Sequence, residues 1–200
     1  MAVMSRAEAV LCRSAPWRLF AQRAVLPWVL QDVPMSGRVL ELGGGSGAMA
    51  QTLLRTQPGL DLTVVDLDPE MVAAGRRRLA GTAARVDVAD SGALPYADDS
   101  FDMVASFIML HHLVDWHPTI TEAVRVLRPG GRLVGYDLTR TSAAVWFHRL
   151  DRSQVHLLTE SQVRAALVSS GFEPVDVEVA RGGHWMRFQA GLPTPPVPMP

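Results

Sequence analysis

Short apolar segments alternate with segments of helical pattern along most of this chain, and this rhythm limits the folds that are open to it. Strands that alternate with helices form parallel βαβ units with right-handed crossovers. The sequence therefore predicts an α/β protein with a mostly parallel sheet and helices on both faces. The first three-quarters of the chain follow this rhythm.

The individual segments can be placed from their composition and their end signals. Predicted strands are RVLEL, LDLTVVDL, AARVDVAD, SFDMVASFIM and PGGRLVGYDL, and FEPVDVEVA and HWMRFQA follow as an antiparallel pair. Predicted helices are 48–56, 69–80, 118–128 and 159–169. Asp68-Pro69 supplies an N-cap and a first-turn proline for the second helix, and Thr159 marks the start of the last helix.

The chain of 200 residues is 48% hydrophobic and 20% charged, which is typical of one globular domain. Residues 4–33 carry apolar side chains at helical spacing, divided by Pro16 and Pro27, and residues 1–35 are predicted to form a helical N-terminal cap. Residues 36–190 would form the main domain. Residues 191–200 are rich in proline, which predicts a disordered tail.

Composition also argues against several functional classes. The net charge of −1 offers no positive field for nucleic acid, and the arginine run 76–78 fits a solvated helix face. Cys12 is the only cysteine, so an intrachain disulfide is not possible and a reducing cytoplasm is expected. No apolar run approaches the ~20 residues of a membrane-spanning helix.

Ligands of open parallel sheets bind beyond the carboxyl ends of the strands. The stretch VLELGGGSGA contains the end of the first strand and the loop that follows it. Its many glycines indicate that the backbone closely approaches a ligand, which could be a dinucleotide, a nucleoside triphosphate or an adenosyl sulfonium. A nucleoside triphosphate loop needs Lys-Ser/Thr after its last glycine, but Ala48-Met49 follows Gly47. Gly43 and Gly45 with Ala48 formally satisfy the dinucleotide pattern G-x-G-x-x-A, which is weak evidence alone.

Glu41 separates the remaining alternatives, because it lies two residues before the first glycine. A carboxylate there would repel a pyrophosphate and attract a sulfonium or an ammonium group, by a few kcal/mol at ~4–6 Å. Asp66, which closes the second strand, is suited to accept hydrogen bonds from a ribose diol. Aspartate at this place serves dinucleotide and other adenosine ligands alike.

Four successive stretches, VLELGGGSG, VVDLDPEMV, DVADSGALPYADDSFDMV and EAVRVLRPGGRLV, resemble the ordered motifs of the class I S-adenosylmethionine-dependent methyltransferases, and of their UbiE-like (type 11) subset in particular. The resemblance covers about residues 36–138, with a weaker match through GFEPVDVEV. It implies a Rossmann-like seven-stranded sheet whose last strand is antiparallel. It also implies methyl transfer from S-adenosyl-L-methionine to a small-molecule acceptor, with S-adenosyl-L-homocysteine as product.

The resemblance also implies roles for individual residues. Glu41 would hold the amino group of the ligand, Asp66 the ribose hydroxyls and Asp90 the adenine amino group. The other implied cofactor residues are Gly43, Gly45, Gly47, Leu67, Ser91 and Ser106. Two departures are visible: Glu41 replaces a more usual aspartate, and Gly44 replaces a residue with a side chain, often cysteine. We expect Gly44 to make the loop looser.

A base is needed only if the attacking atom of the acceptor carries a proton at neutral pH. His111 and His112 are the candidates for this base, because histidine titrates near neutral pH. The alternative is that one of them packs against the loop and the other is exposed. Asp137 would orient the acceptor or cap the next segment. No acid constellation suits magnesium, and the histidines lack zinc-site spacing, so no metal is predicted.

The acceptor is expected to be a small, flat or apolar molecule, and the protein a monomer or homodimer. Aromatic side chains outside the motifs could line the acceptor site or could belong to the core or a dimer contact; they are Trp17, Phe20, Trp28, Trp146 and Phe147, with His148 beside them. Two other functions stay open: a non-catalytic binder of the same ligand, and a nicotinamide oxidoreductase. The latter is the weaker, because the chain has no lysine for a Tyr-x-x-x-Lys pair.

Overall fold

The computed structural model describes residues 19–31, 33–141 and 156–194, which contain one seven-stranded sheet. Its strands are β1 (Arg38–Leu42), β2 (Asp61–Asp66), β3 (Arg85–Val88), β4 (Phe101–Phe107), β5 (Leu127–Leu138), β6 (Val175–Val179) and β7 (Trp185–Gly191). The spatial order is β3-β2-β1-β4-β5-β7-β6. In this described sheet β7 runs antiparallel to the other six strands, which are parallel to one another, so the predicted fold class is confirmed.

The helices begin at the residues that the sequence signals indicate. They are α1 (Leu26–Val29), α2 (Ala48–Thr56), α3 (Pro69–Arg78), α4 (His117–Val126) and α5 (Glu160–Ser169), and a π-helical turn (Ala21–Val25) precedes α1. Asp68 caps α3 by accepting from Glu70 N at 2.8 Å, and Thr159 forms a capping box with Gln162. The predicted helix 118–128 ends early, since residues before a proline such as Pro129 disfavour helix.

Alternate side chains of each strand pack into two cores on opposite faces of the sheet. One core joins the sheet to α4 and α5, through residues such as Leu40, Ile120 and Leu167. The other joins it to α1, α2 and α3, through residues such as Leu53 and Val72. Helices therefore cover both faces, which leaves the carboxyl ends of the strands as the edge where a ligand can approach.

The described part of the predicted N-terminal cap belongs to the second core. Leu26 and Val29 of α1 are buried there, and Gln189 of β7 donates to the carbonyl of Val29 at 2.8 Å. At the other end of the chain, Gly191 is the last residue of β7, and Leu192 N donates to Gly131 O at 2.9 Å. Pro16 and residues 195–200 lie outside the described residues, and the domain boundaries at 35/36 and 190/191 stay predictions.

Candidate functional site

Polar side chains stand at the carboxyl ends of four parallel strands. Glu41 is the next-to-last residue of β1, Asp66 the last of β2, Ser106 the next-to-last of β4 and Asp137 the next-to-last of β5. Glu41, Ser106 and Asp137 are each no more than 1% exposed. The alternation of strands and helices alone predicts this shared edge, and the structure brings the four residues to it.

The glycine loop, residues 43–47, turns directly after β1. Gly43, Gly45 and Gly47 have φ values of 61°, 54° and 73°, in the left-handed region that glycine adopts without penalty. A side chain at Gly44 would overlap Val64, and Gly44 N donates to Val65 O at 3.0 Å. The overlap with Val64 gives a packing reason for glycine at position 44, and the looser loop stays a prediction.

Asp66 is hydrogen-bonded to the glycine loop. Its Oδ2 accepts from Gly45 N at 2.8 Å, and its Oδ1 accepts from Asp68 N at 2.9 Å. Burial raises the pKa of Asp66, and the two backbone hydrogen bonds oppose that rise. The acid that closes β2 is thus fixed against the loop that follows β1, with further lone pairs on each oxygen for a ligand.

Glu41 lies beneath the loop, almost completely buried. Burial raises its pKa from 4.5 to about 8, and the nearby charge of Asp66 adds to the rise. Its Oε2 finds no hydrogen-bond partner among the described residues. Glu41 was predicted to act as an anion, but its burial favours the protonated form until a cation arrives. An unpartnered buried carboxyl is costly in a protein, and an ammonium group would satisfy it.

The residues predicted for the adenosine part lie at the ends of β2 and β3. Leu67 is 38% exposed, which is unusual for a leucine beside a buried strand and leaves its side chain open to a ring. Asp90 is exposed and accepts from Gly92 N at 2.8 Å. The buried Ser91 hydroxyl pairs with Thr119 at 3.0 Å, which leaves its backbone as the part that can meet a ligand.

Ser106 stands beside Leu42 in the register of β4 on β1, close to the start of the glycine loop. Its hydroxyl is buried and has no hydrogen-bond partner among the described residues. Like Oε2 of Glu41, this atom is a polar group for which a bound ligand would supply the partner. Its predicted place near the methionine end of the ligand stays a prediction.

The two candidate histidines lie in a 3₁₀ turn, Leu110–His112, just after β4. His111 is buried, and its Nδ1 lies 2.5 Å from Oδ1 of Asp137. His112 is partly exposed, and its ring stands 4.0 Å from the ring of His111 between centroids. The chain enters this turn through Ile108, whose φ of 52° is rare for a β-branched residue and marks local strain.

The hydrogen bonds around Asp137 assign the tautomer of His111. Asp137 Oδ1 accepts from Leu138 N at 2.7 Å, and its Oδ2 accepts from His111 N at 3.3 Å. A carboxylate that accepts from backbone amides also acts as the acceptor toward the ring, so His111 Nδ1 is the donor. Asp137 therefore orients His111, a role that neither prediction for this residue included.

Sequence reasoning missed two further contacts of the site. Arg78, placed in a solvated arginine run, donates to Ser46 of the glycine loop at 2.9 Å. Met109 packs where a side chain on Gly43 would otherwise stand. Both contacts join segments far apart in sequence, and periodicity carries no signal for such pairs.

The predicted aromatic walls are only partly described. Phe20 is 47% exposed, whereas Trp28 is partly buried with the Arg187 guanidinium 6.0 Å from its ring centroid. Trp17, Trp146, Phe147 and His148 lie outside the described residues. Within the described ranges no group of three or more His, Cys, Asp or Glu side chains could hold a metal ion, and no helix has the length and apolarity to span a membrane.

Comparisons with known proteins agree with this geometry. A family profile described as a methyltransferase domain matches residues 40–135. A ubiquinone/menaquinone biosynthesis C-methyltransferase UbiE from Dinoroseobacter shibae is 40% identical over 115 residues, which cover 56% of this chain and 45% of that protein. The chain thus spans about half the length of the curated relatives that it matches.

Solved structures share the fold at low identity. A putative methyltransferase, solved in complex with the Haloferax volcanii Trm112 methyltransferase activator, superimposes with a TM-score of 0.74 at 20% identity, over 96% of this chain and 100% of the other. A Haemonchus contortus phosphoethanolamine N-methyltransferase, solved with S-adenosylhomocysteine, gives 0.71 at 17% identity, over 96% and 61%. The resemblance to the S-adenosylmethionine-dependent methyltransferases is therefore confirmed, and residues 40–135 match the profile of a methyltransferase domain.

Proposed function

We propose that this protein transfers a methyl group from S-adenosyl-L-methionine to a small-molecule acceptor and releases S-adenosyl-L-homocysteine. The observation that carries the proposal is the pairing of two acids around one glycine loop. Glu41 is buried under the loop with Oε2 unpartnered among the described residues, and Asp66 accepts from the loop at Gly45. One acid suits a cation and the other a ribose diol, which together fit an adenosyl amino acid.

The remaining cofactor contacts follow from the same placement. Gly43, Gly45 and Gly47 let the backbone pass close to the ligand, and the exposed Leu67 packs on adenine. Asp90 accepts from the adenine amino group, the backbone of Ser91 meets the ring, and Ser106 supplies a hydroxyl near the methionine part. Each role is supported by position and by the hydrogen-bonding capacity that the structure leaves for a ligand.

When bound, the sulfonium supplies an already activated methyl group with a neutral thioether as leaving group. The protein mainly has to align the acceptor and exclude water from the reacting atoms. The new bond forms from a lone pair of the acceptor to the methyl carbon, and the electron pair of the broken bond returns to sulfur. Any proton on the attacking atom has to pass to a group of the protein.

The two histidines have different parts in that proton transfer. His111 is buried and held by Asp137, whereas His112 is partly exposed and its ring is tilted by 39° against that of His111. We place His112 as the base that the acceptor meets, with the His111–Asp137 pair supporting it.

Aromatic side chains favour a flat or apolar acceptor. Phe107 ends β4, and its ring centroid lies 5.7 Å from that of Tyr136 in β5. Trp185, at the start of β7, lies 6.2 Å from Tyr136. Phe107 and Tyr136 are buried in the core, so the partly buried Trp185 is the ring of this group that suits contact with an aromatic or apolar molecule.

The partners, the cellular compartment and the oligomeric state are proposals of the same kind. The net charge of −1 gives no support to nucleic acid as a partner. The single cysteine suits a reducing cytoplasm. We expect the protein to act as a monomer or a homodimer on a free small molecule.

Thermal melting of the full chain with S-adenosylhomocysteine, S-adenosylmethionine and NAD tests the ligand. A ligand at about 100 times its dissociation constant stabilises by ~2.7 kcal/mol, which is readily seen as a higher Tm. We expect both adenosyl ligands to raise Tm and NAD to leave it unchanged; a rise with NAD alone would contradict the proposal. A panel of acceptor molecules is then incubated with the protein and S-adenosylmethionine, and each is checked for the gain of one methyl mass. A gain identifies an enzyme, whereas binding of the adenosyl ligands without any methylated product indicates a binding protein.

A further inference from the structure

An arginine of α3 binds the centre of the glycine loop. Arg78 is the last residue of α3, and its Nη1 donates to the carbonyl oxygen of Ser46 at 3.0 Å and to the Ser46 hydroxyl at 2.9 Å. Both residues are partly buried. Ser46 stands between Gly45 and Gly47, so this contact is made at the part of the loop that has the greatest backbone freedom.

The body of α3 packs against the same loop. A Cβ on Gly75 would lie 3.4 Å from the carbonyl oxygen of Gly45, and a Cβ on Gly47 would lie 3.4 Å from Cα of Gly75. Helix and loop thus approach each other backbone to backbone. The Arg78 side chain adds a hydrogen-bonded contact to this packing.

The contact matters because a glycine-rich loop loses much conformational entropy when it is ordered. If the loop is ordered in only a fraction of the molecules before binding, the apparent affinity for the ligand falls in proportion to that fraction. The hydrogen bonds from Arg78 are made entirely within the chain and involve no ligand atom. They can therefore hold the loop before the ligand arrives.

We propose that Arg78 is a positioning residue, which holds the glycine loop in its ligand-binding conformation through Ser46 and thereby strengthens binding of the adenosyl ligand. The identity of the ligand rests on the proposed function, whereas the ordering of the loop does not. The neighbouring arginines act elsewhere or face solvent: Arg76 Nε donates to Val86 O at 2.8 Å, and Arg77 is exposed.

Hydrogen exchange of the full chain without ligand tests the ordering of the loop. The variants are Arg78→Met and, as a matched control, Arg77→Met. The control removes the same charge from the preceding residue of the same helix. We expect amides of residues 43–48 to exchange roughly tenfold faster in Arg78→Met, and at the rate of the unsubstituted protein in Arg77→Met. Unchanged exchange in Arg78→Met would overturn the proposal.

Titration with S-adenosylhomocysteine tests the consequence for binding. Arg78→Met should weaken affinity by about threefold to tenfold, the loss expected for a charge-assisted contact that acts indirectly. Ser46→Ala removes one of the two hydrogen bonds and leaves α3 intact, so it should give a smaller loss even if Arg78→Met folds poorly. The double variant should bind no more weakly than Arg78→Met, because both substitutions act on one contact.

An equal loss in Arg77→Met and Arg78→Met would overturn the proposal, since it would assign the effect to net charge rather than to the loop. If the unsubstituted protein does not bind S-adenosylhomocysteine, the proposed function fails, and the exchange rates still decide whether Arg78 orders the loop.

Discussion

The Nδ1 atom of His111 lies 2.5 Å from Oδ1 of Asp137, and both side chains are almost fully buried. This pair joins the turn after β4 to the end of β5, at the edge of the sheet where the acceptor would enter. A second histidine–aspartate pair in the described chain, His117 with Asp115 at 2.9 Å, is exposed on both sides. The two pairs share their chemistry and differ in burial, so each serves as the control for the other.

His111→Ala should destabilise the protein by about 3–5 kcal/mol, because it leaves Asp137 buried without its ring partner. His117→Ala should change the free energy of unfolding by less than about 1 kcal/mol, as expected for an exposed pair. Urea denaturation of both variants measures the difference. Equal small effects would show that the His111–Asp137 pair contributes no more than a surface pair.

His112→Gln should lower the maximal rate on an accepted substrate by ~10²–10⁴, the usual contribution of a general base. Its affinity for S-adenosylhomocysteine should stay near that of the unsubstituted protein, because His112 stands on the acceptor side. His117→Gln, with an exposed ring, should retain the full rate. A full rate in His112→Gln would assign the proton to another group, or show that the acceptor needs no base.

Much of the fold was predictable because its signals are local. Apolar runs of strand length predicted all seven strands, and Asp68 and Thr159 marked helix starts through the hydrogen bonds that they make in the structure. The cofactor edge was predictable too, since parallel strands bring Glu41 and Asp66 to the same side. The ordered motifs then indicated the resemblance to the methyltransferases.

Contacts between distant residues could not be predicted in the same way. His111 and Asp137 are 26 residues apart, and Arg78 and Ser46 are 32 apart. Such pairs depend on how helices and turns pack after the strands have formed, and a single sequence carries no period that reports it. The protonation of Glu41 also depends on burial in the folded core.

Glu41→Gln should make the ligand-free protein more stable, by a margin that grows with pH. Because burial raises the pKa of Glu41 to about 8, the folded protein keeps a proton there up to about that pH, whereas the ordinary glutamate pKa of 4.5 applies to the unfolded chain. Between these values the unfolded state binds fewer protons, so Glu41 lowers the free energy of unfolding as pH rises. Glutamine does not titrate and removes this loss.

Urea denaturation near pH 5 and near pH 8 measures the margin between Glu41→Gln and the unsubstituted protein. The same variant should bind S-adenosylhomocysteine more weakly, because its amide cannot pair with an ammonium group as a carboxylate does. A margin that is independent of pH would contradict the protonated state assigned to the buried acid.

Gly44→Cys should destabilise the protein, because the new side chain would overlap Val64. Val64→Ala should make room, so the double variant Gly44→Cys with Val64→Ala should be more stable than the sum of the single effects indicates. Thermal melting of the three variants gives the coupling. Strict additivity would show that Val64 does not decide which residue fits at position 44.

Calorimetric titration with S-adenosylhomocysteine tests the central claim, that Glu41, the glycine loop and Asp66 form one site for an adenosyl amino acid. We expect saturable binding with one site per chain, weakened at least about tenfold in Asp66→Asn and in Glu41→Gln, and no binding of NAD. Absence of S-adenosylhomocysteine binding to the folded chain, or binding that both substitutions leave unchanged, would contradict the account.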